Sequence, residues 1–99
     1  MSDHAWMILH DYTHDRNPQQ SDAAGTIGPA DITPVQRERV KRGEPFRLYD
    51  EDGLITHSGR CLCNPDDETG YAPLEEFGMP DASEIRYQDH SHHGKWISL

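Results

Sequence analysis

Residues 46–60 read FRLYDEDGLITHSGR, and this stretch decides the fold that the sequence predicts. Phe46, Leu48 and the apolar start of segment 54–57 flank the polar tetrapeptide DEDG. Gly53 can take the left-handed conformation that a short connection between two strands requires. The pattern therefore predicts an antiparallel β-hairpin with three consecutive acids at its tip.

A helix is indicated just upstream of this hairpin, in DITPVQRERVKRGEP. Thr33 is placed as an N-cap, Pro34 follows at the first helical position, and Gln36 stands three residues after the cap. Basic residues occupy the last turn, where they complement the helix dipole, and Gly43 comes just past the end. These signals predict a helix of about ten residues.

Three further apolar segments predict strands. AWMILHDY (residues 5–12) is short and rich in aromatic and branched side chains, and EIRYQ and KWISL supply two more strands near the end of the chain. The composition of residues 13–29 and 64–83 favours long loops, although PLEEFG in the second predicts one helical turn ended by Gly78.

The sum of these elements predicts a single α+β domain over residues 1–99. We expect four to five strands in a mostly antiparallel sheet, one short helix packed on a face, and long loops. The sequence leaves both a monomer and a dimer open, since an unpaired edge strand could pair with a second copy.

The chain is strongly acidic, with 18 acids, 9 bases and a formal net charge of -9. Such a charge repels phosphates and acidic lipids, so we expect no direct binding to nucleic acid and no membrane partner. The charges are segregated: residues 33–47 hold five bases against two acids, whereas residues 50–89 hold eleven acids against two bases. No apolar run approaches the roughly 20 residues that span a bilayer, and we expect a cytoplasmic protein.

No recognisable catalytic motif is present. Cys61 and Cys63 are separated by one residue, a poor spacing for a disulfide, and we expect reduced thiols. The sequence has no nucleophile elbow, P-loop or dinucleotide fingerprint. We therefore expect a protein that is not an enzyme and needs no cofactor.

Metal binding is the alternative to which the histidines point. His90, His92 and His93 stand in one predicted turn and could hold zinc or nickel weakly, with the two cysteines as further ligands if they lie nearby. DEDG begins like a calcium loop, but Leu54 and Cys61 stand where that loop needs carboxylates. We favour solvated histidines and no metal.

The acidic surface itself is the remaining candidate for function. Carboxylates spread over loops can match the spacing of DNA phosphates, and so occupy the Arg/Lys channel of a DNA-handling protein. The predicted contact residues are Asp50, Glu51, Asp52, Asp66, Asp67, Glu68, Glu75 and Glu76.

Several segments resemble a group of short proteins of bacteria and their phages for which no activity is established. These segments are GPADITP, RGEPFRLYDEDG, SGR, PLEEFGMPDAS and a final W-x-x-L, and the likeness runs from Gly28 to Leu99. Its motifs are structural, with Gly43, Gly53 and Gly78 at turns or helix ends. The resemblance implies the fold and a phage or mobile-element setting, and brings no catalytic residue.

Small acidic phage proteins without an enzymatic motif are also similar, in size and charge, to anti-CRISPR proteins that mimic DNA. By this analogy we expect a non-enzymatic inhibitor in the bacterial host cell that binds a basic DNA-binding groove of a CRISPR effector or another nuclease complex. A small metal-binding protein or a housekeeping accessory protein is the alternative.

Overall fold

The computed structural model describes residues 4–64, 66, 68–78, 82–89 and 94–99. Its elements are β1 (Ala5–Asp11), α1 (Tyr12–Arg16), β2 (Ile27–Gly28), α2 (Pro34–Val40), β3 (Glu44–Tyr49), β4 (Ile55–Leu62), a 3₁₀ turn (Glu68–Tyr71), α3 (Ala72–Phe77), β5 (Glu84–Asp89) and β6 (Lys95–Ser98). All strand pairs are antiparallel, in the order β2-β1-β4-β3-β5-β6. The predicted single α+β domain with an antiparallel sheet is confirmed.

The predicted hairpin, β3 and β4, forms the centre of this sheet. Phe46 lies opposite Gly59, which in turn lies opposite Ile8 of β1. A Cβ atom on Gly59 would come within 1.9 Å of the Met7 carbonyl oxygen and 3.0 Å of the Phe46 ring. Only glycine allows the backbones and the Phe46 ring to approach this closely.

One face of the sheet, here called the covered face, lies under the 3₁₀ turn and α3. Phe77 of α3 packs against the Trp6 ring, with 5.6 Å between the ring centroids. The larger of the two apolar clusters is on this face, and it contains Trp6, Ile8, Phe46, Leu48, Cys61, Ala72, Ile85 and Tyr87.

The opposite face, here called the open face, carries α2 at one corner. Val40 of α2 is fully buried and clusters with Ala5 and Met7 of β1. The helix packs mainly against β1 and β4. Among the side chains on this side, Arg47 of β3, Arg86 of β5 and Trp96 of β6 stay partly exposed, whereas Tyr49 of β3 is buried.

The cap of α2 is the predicted one. The Gln36 amide donates to the Thr33 hydroxyl (3.2 Å), and the Thr33 amide donates to the Gln36 side-chain oxygen (2.9 Å), so both halves of the capping box are present. The helix ends at Val40 with Lys41 as its C-cap, and its seven residues are fewer than the predicted ten.

The structure differs from the prediction in the number of elements. Within the described residues the sheet has six strands, not four to five, and there are three short helices, not one. The predicted loop 13–29 contains most of α1 and the two-residue strand β2. Such short elements form because tertiary contacts stabilise them, which local patterns do not report. The turn predicted in PLEEFG is α3, ended by Gly78 at φ +63.

Candidate functional site

The turn between β3 and β4, here called the acidic turn (residues 50–54), is stabilised by its first acid. A side-chain oxygen of Asp50 accepts hydrogen bonds from the amides of Asp52 and Leu54, each 2.9 Å long. The Asp50 amide donates to the Leu54 carbonyl at 2.9 Å, and Gly53 takes φ +80. Asp50 therefore shapes the turn, whereas Glu51 and Asp52 are exposed.

Two depressions flank the acidic turn. The first has a volume of about 400 Å³ and lies between the turn and α1, with Arg16, Asn17 and Gln20 on its far wall. The guanidinium of Arg16 donates to the Ile55 carbonyl, which fixes this wall to the base of the hairpin. Both sides of the turn are thus accessible to side chains of a partner.

The second depression, of about 570 Å³, lies on the other side of the turn. Tyr71 and Leu74, from the elements above the covered face, line it together with Glu84 and Arg86 of β5. Its lining is mixed in charge, so it is a broad surface recess with no concentrated chemistry.

Glu76 of α3 differs from the acids of the turn because its carboxylate is bound within the fold. One oxygen accepts from the Trp6 indole (3.0 Å), and the other lies 2.6 Å from the His4 ring nitrogen. This satisfies the only polar atom of a buried indole and ties α3 to β1. Sequence reasoning placed Glu76 among the contact residues, and the structure gives it these internal partners.

The predicted acids are spread along the sheet. Glu76 contacts Trp6 of β1, and both Trp6 and Glu44, at the start of β3, pair with the same residue of β4. The acidic turn follows Tyr49 at the other end of β3. Five residues of strand span roughly 17 Å. Three further acids are exposed, namely Asp66 after β4, Glu68 at the start of the 3₁₀ turn and Glu75 in α3. Asp67 lies outside the described residues.

A buried contact between an acid and a histidine on the covered face was not found from the sequence. Asp11 and His57 lie opposite each other in β1 and β4, with 3.2 Å between carboxylate oxygen and ring nitrogen. Both side chains are almost completely buried, at 1% and 0% exposure. The His57 ring also meets the Phe77 ring edge-on at 4.9 Å. An N-cap Asp before α1 could be read from the sequence, but its partner across the sheet could not.

Asp11 organises the segment that follows β1. Its carboxylate accepts hydrogen bonds from the Thr13 hydroxyl and amide, the His14 amide and the Ala23 amide, between 2.6 and 3.1 Å. Burial alone would raise the pKa of Asp11, but these hydrogen bonds and the nearby His57 outweigh it and lower the pKa to about 2. The carboxylate is therefore ionised at neutral pH and serves structure.

The two cysteines lie on the covered face as free thiols. The Cys61 thiol is 3.4 Å from the Tyr87 hydroxyl, which donates to the Gly70 carbonyl at 2.8 Å. The Cys63 thiol contacts the Ala5 carbonyl at 3.6 Å. The neighbouring Cys61 thiol and burial raise the pKa of Cys63, which disfavours a nucleophilic thiolate there.

Metal ligation was tested on the described part of the chain. No group of three or more His, Cys, Asp or Glu side chains with metal-binding geometry occurs there. The alternative metal ligands His90, His92 and His93 lie outside the described residues. None of the helices described is long and apolar enough to cross a membrane.

Comparison with known proteins returns no match: no family model, no curated protein and no solved structure is significantly similar to this chain. The candidate site is therefore defined by its own geometry.

Proposed function

We propose that the protein is a non-enzymatic acidic inhibitor that binds the basic nucleic-acid-binding surface of a nuclease complex. The observation that carries this is the display of Glu51 and Asp52 on a turn that the Asp50 carboxylate holds by two hydrogen bonds. Carboxylates on an ordered turn lose little conformational entropy on binding. The depressions beside the turn leave Glu51 and Asp52 accessible from both sides.

The partner class that we favour is a CRISPR effector, which makes the protein an anti-CRISPR or a comparable phage anti-defence protein. The support is the net charge of -9 and the resemblance to phage proteins described above. The acids would replace DNA phosphates in the partner's channel, and the binding should weaken as salt rises.

Exposure supports a narrower set of proposed contacts. Among the described acids we propose the exposed residues Glu51, Asp52, Asp66, Glu68 and Glu75 as contacts. Asp50 supports the turn, and Glu76 is bound to Trp6 and His4, so these two act through the fold.

A competition assay tests this function. Purified protein is mixed with a panel of CRISPR effector complexes at low salt, and displacement of labelled duplex DNA is measured. We expect displacement by the native protein and a loss of about tenfold or more in the Glu51→Gln/Asp52→Asn double variant, because steering and contact charges are removed.

A matched control is the double variant Asp22→Asn/Glu38→Gln, which removes the same charge at two exposed positions outside the acidic turn. Asn at position 22 can still accept from the Ala24 amide, and Glu38 pairs only with exposed Lys41 among the described residues. This control should bind within about twofold of the native protein, since exposed pairs contribute little. No complex with any effector at low salt, or equal losses in both double variants, would count against the proposal.

A further inference from the structure

The open face concentrates the bases of this acidic chain. Arg47 of β3 lies directly opposite Arg86 of β5, and Arg60 of β4 lies diagonally next to Arg47. Like charges directly opposite on a sheet repel each other. Glu84 bonds to Arg86 at 2.7 Å, but among the described residues no carboxylate forms an ion pair with Arg47.

Aromatic rings hold these guanidinium groups in place. The Arg47 guanidinium lies 3.9 Å from the centre of the Trp96 ring, and that of Arg86 lies 4.1 Å from the centre of the Tyr49 ring. A guanidinium stacked on a ring is pre-organised, keeps its N–H groups at the edge of the stack, and binds phosphate or carboxylate with two parallel hydrogen bonds.

The corner helix α2 extends this basic surface. Arg60 lies opposite Met7, which clusters with Val40, so α2 and Arg60 share the open face. The Arg60 guanidinium also donates to the Gly43 carbonyl at 2.9 Å. All Lys and Arg residues except Arg16 and Lys95 belong to α2, its C-terminal end or the open face, namely Arg37, Arg39, Lys41, Arg42, Arg47, Arg60 and Arg86.

We infer that the open face binds a single strand of nucleic acid, with phosphates on Arg47, Arg60 and Arg86 and bases stacked against the Arg47–Trp96 pair. Charge complementarity requires an anionic ligand. The stacked planes favour a strand with unpaired bases over an acidic peptide, because bases stack on aromatic rings and on guanidinium planes. The bases of a duplex are already stacked on each other, so the Arg47–Trp96 pair favours a strand whose bases are unpaired.

Arg47 and Arg60 lie along the strands of the hairpin and line neither depression beside the acidic turn, whereas Arg86 also lines the second of them. The net charge of the whole chain predicted no contact with nucleic acid, but a ligand responds to the local field, and the structure gathers the bases on one side. The inference goes beyond the proposed function and does not depend on it.

Fluorescence anisotropy with labelled oligouridine and oligothymidine of about 12 nucleotides tests the inference, a length within the range that single-strand-binding folds cover. We expect binding at low salt that weakens as salt rises. The variant Arg47→Gln/Arg86→Gln should weaken binding about tenfold or more. It should also reduce the steepness of the plot of log association constant against log salt concentration by about 1.4, because each of the two lost phosphate contacts contributes about 0.7 to that slope.

Lys95→Gln serves as the charge-matched control for the single variant Arg47→Gln. Lys95 alternates with Trp96 along β6 and so points away from the open face. This variant should bind within about twofold of the native protein. Arg47→Lys keeps the charge without the planar stack, and should retain the salt slope but lose affinity.

Four results would overturn the inference: no binding to either strand at low salt, unchanged binding by Arg47→Gln/Arg86→Gln, tighter binding to a duplex of equal length, or equal competition by polyglutamate. The last result would identify an acidic polypeptide as the ligand. The variant Glu51→Gln/Asp52→Asn should retain strand binding, so a failure here can be told from a failure of the inhibitor function.

Discussion

The covered face and the open face of one sheet carry opposite kinds of residues. Alternation along β3 sends Phe46 and Leu48 to the covered face and Arg47 to the open face. On the covered face even the Asp11 carboxylate is buried, 3.2 Å from the His57 ring. On the open face the charges meet solvent. Most of the buried apolar contacts therefore lie on the covered face, whereas the part of the open face beyond α2 is accessible to a ligand.

The largest effect is expected for Phe46→Ala on the covered face. Phe46 is fully buried at the centre of the sheet, so the substitution removes apolar contacts and leaves a cavity. We expect the free energy of unfolding to fall by about 3–5 kcal/mol, measured by urea unfolding followed by circular dichroism. Phe46→Leu should give a smaller loss. A loss below about 1 kcal/mol for the alanine variant would mean that the ring does not fill the core.

The second-largest loss of stability is expected at acid pH, again from a residue on the covered face. The pKa of Asp11 is lowered from 3.8 to about 2 in the fold. Ionised Asp11 therefore stabilises the fold fully above the unfolded pKa, and this contribution, about 2 kcal/mol, is lost as pH falls through the folded value. Urea unfolding measured between about pH 5 and 2 should show the loss, and Asp11→Asn should remove this part of the pH dependence.

The control for this pH dependence is Asp22→Asn, at an exposed carboxylate. Its unfolding curve should follow the native one across the same pH range. If Asp11→Asn left the acid sensitivity unchanged, another carboxylate would be responsible for it.

The local part of the fold could be predicted from the sequence. The hairpin and the cap of α2 depend on residues within five positions of each other, such as Asp50 with Gly53 and Thr33 with Gln36, and both were predicted. The second neighbour of β3, which is β5, could not be predicted, because β5 follows the hairpin only after a long segment. Because this pairing was unknown, the sequence did not predict that Arg47 lies opposite Arg86.

The candidate site was predicted only as a set of acids. Sequence reasoning treats every carboxylate as equivalent, because it does not contain the distances that distinguish them. The structure separates exposed Glu51 and Asp52 from Asp50, which binds turn amides, and from Glu76, which binds the Trp6 indole. Partners far apart in sequence, as in the Glu76–Trp6 and Asp11–His57 contacts, leave no local pattern.

A smaller loss of stability is expected for Thr33→Ala, at the N-cap of α2 on the open face. The substitution removes the hydroxyl that accepts from the Gln36 amide. We expect unfolding to become easier by about 1 kcal/mol, measured by urea unfolding. Thr33→Ser keeps the hydroxyl and should lose much less. If the two variants were equally stable, the capping box would not contribute to stability.

The smallest effect on stability is expected for Arg47→Gln on the open face. The variant loses the contact with the Trp96 ring, which contributes about 0.5–1 kcal/mol at an exposed site. It also relieves the repulsion between Arg47 and Arg86, which opposes that loss. We therefore expect the free energy of unfolding to change by no more than about 0.5 kcal/mol in the same urea assay.

The contrast with Phe46→Ala, one residue away, is what distinguishes the two faces. A loss of more than about 1.5 kcal/mol for Arg47→Gln would show that the stacked guanidinium is part of the core, and the open face would then be a structural surface. A small loss combined with weaker oligonucleotide binding would separate binding from stability at Arg47. Glu84 offsets part of the repulsion between Arg86 and Arg47, and an anionic ligand that contacts both guanidinium groups would remove the repulsion that remains.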